Sequence, residues 1–367
     1  MTITVLFTII GIGLVILIHE LGHLLAAKRV GILVYEFSIG FGPRVAHKKW
    51  GETIYSLRAI PMGGYVRLAG MDDDSESEEV PPPDRSYYNK GFWARFLVIV
   101  GGSGMNAILG FVIFTCVYAV LGSSRVTPVI DQVFPNSGAA QAGIVAGDEL
   151  VAIDQVLAKD NVEQAVDYIH DHPNQPLQVR FIHQGTEVAK TIVPALDPES
   201  GHGLVGVELK PEQIPVGFLT AVKLGAVETK DQIVHTFKAV GQLITGKVRL
   251  NQMLGPVGIV QVVGFQLSRA SIYFLNLLGI ITVNIGMLNL FPFPALDGGH
   301  LIFLIIEKMS GRTLSKKVVN VVNTVGMALL YSLMVFVLFN DVHQWGSRKQ
   351  FFKKLNDHTQ NTPKIFR

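Results

Sequence analysis

Cysteine, charge and an N-terminal basic cluster are what this 367-residue chain has least of. The one cysteine, Cys116, can form no internal disulfide, so the fold is not a disulfide scaffold; set in an apolar run, it reads as a small packing residue. Only 16% of the residues are charged while 49% are hydrophobic, and the mean hydropathy is +0.37. The length would suit two or three soluble domains, but this composition points instead to an integral membrane protein. No basic residue precedes the first apolar run, which starts at Thr2, so a cleaved secretory leader is not expected and the run stays in the protein. The net charge of +2 hides an uneven distribution, and no nucleic-acid partner is expected.

Inside that first run stands His19-Glu20-Leu21-Gly22-His23. Histidines four apart fall on one helix face, so both imidazoles can reach a single ion, and Glu20 projects beside that face as a base for a metal-activated water. The alternative is two neutral histidines and a glutamate that only hydrogen-bond neighbouring helices. Against it, three ionisable side chains in an apolar segment cost several kcal/mol unless paired or ligating. Residues 2–27 read as the first span, about 26 residues or roughly 39 Å of helix against a hydrocarbon core of about 30 Å. Lys28 and Arg29 mark its cytoplasmic end, which is the end nearer the motif.

Three further spans follow. After Arg95 the chain is uncharged to Ser124; the Gly101-Gly102-Ser103-Gly104 cluster there admits another helix, most simply the first, and Asn106 needs a polar partner. Ile272 to Leu290 and Val318 to Phe339 supply the third and fourth, with Lys308, Arg312, Lys316 and Lys317 marking a cytoplasmic loop between them. Four spans put the C-terminus outside. The basic tail, 341–367, conflicts with this unless it lies along anionic headgroups.

Between spans one and two, Val34–Ile39, Ile54–Leu57 and Tyr65–Leu68 read as small hairpins over residues 33–70. They are either an ordinary cytoplasmic loop or an exposed strand edge near the metal, on which an unwound substrate is laid as an extra strand. Residues 72–85, acidic and proline-rich, read as a disordered linker. Residues 125–208 carry twelve Asp or Glu against four Lys or Arg, which suits a domain outside the membrane. Its run from Asp131 to Leu150 resembles a PDZ domain, in the order strand, short Ala-rich helix and Gly-Asp turn. From Val216 to Gly246 apolar residues recur at helical spacing among lysines, either an amphipathic helix on the membrane surface or a soluble core helix. Gly255-Pro256-Val257-Gly258 then breaks the chain before the third span.

A catalytic zinc takes three protein ligands and keeps a fourth position open. Asp297 is the best third candidate: prolines 292 and 294 stop the third helix at the depth inferred for His23, and two glycines follow. It could equally cap the helix that begins near His300. Asn289, on the last turn of the third span, either contacts the substrate or an oxyanion or bonds a neighbouring helix. His300 reads as a surface residue or a support, since a fourth ligand would close the site.

Taken together, His19 to His23, the Asn289 to Gly299 run with its Leu296-Asp297-Gly298 core, and one PDZ-like insertion between spans two and three resemble the site-2 protease family, in particular its bacterial branch that cleaves membrane-embedded anti-sigma factors. The resemblance covers nearly the whole chain. It implies a multi-pass α-helical membrane protein in the bacterial cytoplasmic membrane, with a membrane-associated β-hairpin region, one extracytoplasmic α+β PDZ domain and an active site towards the cytoplasm. It further implies zinc-dependent hydrolysis of single-span membrane proteins within the bilayer. His19, His23 and Asp297 would be ligands, Glu20 the base, Asn289 a substrate contact, and Gly63, Gly64 and Tyr65 part of the substrate-presenting hairpins. The expected divisions are 1–124, 125–208 (PDZ, with peptide tails as ligands), 209–254 (amphipathic linker helix), 255–340 and 341–367. Two features depart from relatives: no proline precedes Asn106, whose role stays open, and there is one PDZ copy where some carry two. A catalytically silent PDZ scaffold is the competing class, but it has no need of buried charge. A metal transporter would carry acidic or histidine residues in spans three and four, which have none.

Overall fold

The long apolar runs fold as helices, each of which satisfies its own backbone hydrogen bonds. A computed structural model of the protein describes residues 2–71, 82–159, 161–197, 201–247 and 254–360. In chain order its helices are α1 (Thr2–Arg29), α2 (Phe92–Leu121), α3 (Gly138–Gln141), α4 (Val162–Asp171), α5 (Phe218–Ile244), α6 (Pro256–Arg269), α7 (Ser271–Asn289), α8 (Asp297–Ser310) and α9 (Lys316–Gln360). Among the described residues α1, α2, α7 and α9 are long and apolar enough to cross a membrane. The chain divides into a helical unit, residues 1–117 and 219–367, and a second unit, residues 118–218. Most of the acidic linker expected over 72–85 lies outside the described residues; Pro83–Arg85 forms a single 3-10 turn.

In the helical unit α1 and α2 meet backbone to backbone. A Cβ placed on Gly22 would lie 2.2 Å from the Gly101 carbonyl oxygen, so any side chain there would part the helices. Arg95, at the start of α2, is buried and donates to Glu307 of α8 at 2.7 Å. That ion pair ties the two helices together and has no signature in either segment alone.

The region after α1 is one sheet rather than separate hairpins. β1 (Val34–Trp50) and β2 (Thr53–Leu68) pair antiparallel, and each doubles back on the other. Residues Glu36 to Ile39 have Gly64 to Arg67 on one side and Ile54 to Leu57 on the other; the latter also pair with Ala46 to Lys49. Positive φ at Gly40 and Gly63 (86° and 95°) lets both strands bend without breaking, so the short runs expected on either side of these glycines belong to continuous strands. The Gly64 to Leu68 stretch of β2 is left as one edge of the sheet.

The sheet encloses one buried carboxylate. Glu36 accepts from Arg44 Nη2 at 2.7 Å, Ser56 Oγ at 2.5 Å and Arg58 Nη2 at 3.0 Å. Burial alone would raise its pKa, but these donors outweigh it and hold the group at about 2. The stabilisation is therefore complete above the ordinary glutamate range near 4.5 and is lost as pH falls towards 2. Amide-exchange protection across β1 and β2, relative to the intrinsic rate, is expected to fall over that window, and Glu36→Gln should remove most of this pH dependence. An exchange profile in Glu36→Gln that tracks wild type through the window would contradict this.

Helix α5 packs against α7. Its small residues Ala221, Gly225 and Thr229 are buried, and Gln232 and Thr236 donate to Asn284 Oδ1 of α7 at 2.8 and 2.6 Å. Helix α6, where only a chain break was expected, starts at Pro256, which suits a first helical position. The buried Asp341 of α9 accepts from the backbone N–H of Gly255 and Gly258, capping α6 from a distant helix. α9 runs to Gln360, through much of the segment read as a basic tail. Cys116 is not a packing residue: it is exposed, because Thr115 and Val117 take the inward positions of that turn.

The second unit is built on an antiparallel sheet in the order β10-β3-β4-β6-β7. Its strands are β3 (Ser123–Val133), β4 (Glu149–Ile153), β5 (Val156–Leu157), β6 (Leu177–His183), β7 (Thr186–Ile192), β8 (Ala195–Leu196), β9 (Gly203–Leu204) and β10 (Val207–Ile214). Ile130, Ile153, Ile169, Phe181 and Ile192 form its core together with α4. The unit is wider than the expected 125–208 because β3 and β10, which pair, begin and end beyond those limits.

Candidate metal centre

His19 and His23 occupy one face of α1, and the start of α8 brings Asp297 to them across 274 to 278 residues of sequence. A tight turn makes this possible. Ala295 takes a left-handed φ of 71°, and a Cβ on Gly298 would fall 2.0 Å from the Phe291 carbonyl oxygen, so the chain can reverse closely only with glycine there. Asn323 of α9 accepts from the Ala295 N–H and steadies the turn. Leu296 takes the N-cap position and Asp297 the first helical one, so the carboxylate is free of capping and points to the histidines.

Three atoms converge. Asp297 Oδ2 lies 3.1 Å from His19 Nε2 and 3.3 Å from His23 Nε2, and the two imidazole nitrogens are 3.2 Å apart. A tetrahedral zinc with bonds of about 2.0–2.1 Å separates its donors by about 3.3 Å, so the triangle fits that ion. Charge points the same way: with neutral imidazoles, Glu20 and Asp297 leave two negative charges in a largely enclosed place, which a divalent cation offsets. Among the described residues this trio is the one group of three or more metal-binding side chains so placed.

Helix α2 forms one wall. His23 Nδ1 donates to the Val98 carbonyl oxygen at 2.7 Å, which fixes the ring with Nε2 inward. A Cβ on Gly102 would lie 2.3 Å from His23 Nε2 and 2.8 Å from His19 Nε2, so that glycine keeps the space beside both ligands clear. Asn106, fully buried one turn further, faces His19.

Glu20 accepts a hydrogen bond from the backbone of Val66, in the edge stretch of β2. Glu20, His23, Val66, Leu68, Asp297 and His300 are among the residues around a cavity of about 140 Å3, room for a few waters at about 30 Å3 each. His300 thus lies beside the site without joining the trio. Asn289, the last residue of α7, has Nδ2 3.2 Å from His19 Nε2. Gly64 borders Glu20, since a Cβ built on it would be 3.6 Å from Glu20 Cγ. Gly63 faces the Phe41 ring instead, and Tyr65 turns away, its hydroxyl bonded to Arg58 and its ring stacked on Phe41. Sequence reasoning missed Val98, because its contribution is a backbone carbonyl, and Gly102, which stood only as one member of a packing cluster.

Paired histidines on one helix, a distant aspartate and an adjoining glutamate are the donor set of a metal-dependent hydrolase. The model of Peptidase family M50 matches residues 7–333. The chain is 31% identical to the zinc metalloprotease RasP of Geobacillus kaustophilus over 92% of this chain and 97% of that one. It is 32% identical to a putative zinc metalloprotease of Clostridium acetobutylicum, over 92% and 97% respectively, and 27% identical to the regulator of sigma-W protease RasP of Bacillus subtilis, over 93% and 98%. A PDZ domain of an SdrC-like protein from Listeria monocytogenes aligns with 22% of this chain at 22% identity and a TM-score of 0.21. The chain belongs to peptidase family M50, the site-2 proteases, and is a zinc metalloprotease.

Proposed function

We propose that the protein is an intramembrane endopeptidase that cuts single-span membrane proteins, with His19, His23 and Asp297 holding zinc and Glu20 moving the proton. The observation that carries this is the convergence of two imidazoles and a carboxylate at 3.1–3.3 Å, two of the three on a helix apolar enough to cross a membrane. Zinc held there would supply Lewis acidity, enough to bring the pKa of a bound water to about 7. Glu20 takes the attacking water's proton and returns it to the leaving amide nitrogen. Asn289, beside His19 Nε2, orients the scissile carbonyl or donates to the oxyanion that develops there.

A peptide bond inside a helix is shielded by its own hydrogen bonds, so the substrate must unwind. The Gly64 to Leu68 edge of β2, adjoining Glu20, offers backbone groups to an extended segment. Lys28 and Arg29 on one side and Lys308 and Arg312 on the other support placing this end of the unit at the cytoplasmic face of a bacterial inner membrane. The acidic second unit reads as an extracytoplasmic PDZ domain with peptide tails as its ligand class. The Bacillus subtilis relative is named a regulator of sigma-W protease; for this chain we take membrane-anchored anti-sigma factors or remnant signal peptides, both single-span, as the substrate class.

Metal analysis of the purified full-length chain tests the ligand set. Wild type is expected to carry one zinc per chain, and His23→Ala and Asp297→Ala to lose it with their folded helical content intact. Full zinc occupancy in both variants would overturn the assignment.

A further inference from the structure

We infer that Asn106 is a positioning residue of the metal centre, its side-chain oxygen accepting from His19 Nδ1–H and so presenting His19 Nε2 to the ion. This rests on the ligand assignment above. The Asn106 amide nitrogen stands 3.5 Å from His19 Nδ1, while its Oδ1 is buried with no hydrogen-bond partner among the described residues. An N–H aimed at Nδ1 would require that nitrogen to accept and would leave the ring proton on Nε2, the atom that meets Asp297 Oδ2 at 3.1 Å and His23 Nε2 at 3.2 Å. Turning the amide through 180° leaves the outline of the side chain unchanged. It sets Oδ1 against Nδ1–H, gives the orphaned acceptor a donor and frees Nε2 for the metal.

The register of the two helices supports the same arrangement. Val98, Gly102 and Asn106 recur every four residues along one face of α2, opposite His23 and His19 on α1. Val98 gives His23 a backbone acceptor at 2.7 Å, Gly102 clears the space between, and Asn106 gives His19 the matching acceptor from a side chain. Each ligand ring is thereby oriented by the same helix, and a ligating histidine characteristically donates its second N–H in this way.

The test uses the full-length protein in lipid bilayers, with zinc affinity measured by competition against a chelator. Asn106→Leu keeps the branched outline of the side chain, with somewhat more bulk, and removes the acceptor; it is expected to weaken zinc binding about ten- to a hundredfold, whereas Asn106→Asp, which can only accept, should stay within about threefold of wild type. Nitrogen NMR of histidine-labelled protein stripped of zinc should show His19 protonated at Nδ1 in wild type and in Asn106→Asp, and a mixture of tautomers in Asn106→Leu. Wild-type zinc affinity in Asn106→Leu, or equal losses in Leu and Asp variants, would overturn the inference. His19→Ala separates the two levels. If it abolishes zinc binding while Asn106→Leu does not change it, the positioning role alone is refuted; if it leaves zinc in place, the ligand assignment fails and the positioning role with it.

Discussion

Glu20→Gln protein is expected to keep its zinc and lose roughly 10²–10⁴-fold in cleavage rate, the usual contribution of a positioned acid–base group. Glutamine preserves the shape of the side chain and can still meet the Val66 backbone, so the edge of β2 should stay where it is. What disappears is the acceptor for the attacking water's proton, and with it the donor to the leaving nitrogen. Because His19, His23 and Asp297 are untouched, chelator competition should give a wild-type zinc affinity. Rate assays on a reconstituted transmembrane substrate, alongside that titration, check both halves. Unimpaired cleavage by a zinc-loaded Glu20→Gln enzyme would remove Glu20 from the mechanism, whereas joint loss of zinc and activity would make it a structural support.

Gly102→Ala should be nearly as damaging, for a different reason. Alanine in a helix interior ordinarily stabilises by about 1 kcal/mol over glycine. Here the added methyl group would meet His23 Nε2 at 2.3 Å and both Nε2 and Cε1 of His19 at 2.8 Å. Those rings cannot simply swing away, because Val98 holds one by its Nδ1 and Asp297 approaches both from the far side. The expected result is a helical content and melting temperature close to wild type, with zinc affinity reduced at least tenfold, as for disruption of groups that orient ligands. Gly104→Ala, on the same helix with open space at its Cβ, is the matched control and should bind zinc normally. Equal zinc affinity in Gly102→Ala and Gly104→Ala would show that the helices or rings adjust more than this packing allows.

The sequence was most legible where one local pattern carried the meaning. Apolar runs long enough to span a bilayer announce helices on length and composition alone, and histidines four apart on such a run share a face by helix geometry. Asp297 could be paired with them because the prolines and glycines around it show where a helix stops and a close turn begins. Less was legible where meaning lies between segments. Arg95 and Glu307 are 212 residues apart and look like two ordinary boundary charges until α2 and α8 meet. Asp341 opens the segment read as a basic tail, yet caps a helix 83 to 86 residues earlier. Val98 offers only a carbonyl oxygen, which no side-chain motif encodes. Glycine was ambiguous in another way: Gly40 and Gly63 read as strand ends and are bends inside strands, because φ beyond 80° can reverse a chain or merely fold it. Tyr65 was named with Gly63 and Gly64 on the resemblance to substrate-presenting hairpins, and its side chain joins the Arg58 and Phe41 cluster.

The central claim is that this chain cuts peptide bonds within the bilayer, at a zinc held near the cytoplasmic end of α1. Mass-spectrometric mapping of the scissile bond in a single-span substrate, co-reconstituted with the purified protein in sealed vesicles, tests it most directly. The account predicts a zinc-dependent cut inside the apolar segment of the substrate, in its cytoplasmic half, absent with Glu20→Gln. Cuts confined to exposed sequence outside the span, or a cut within it that persists in Glu20→Gln protein, would contradict it.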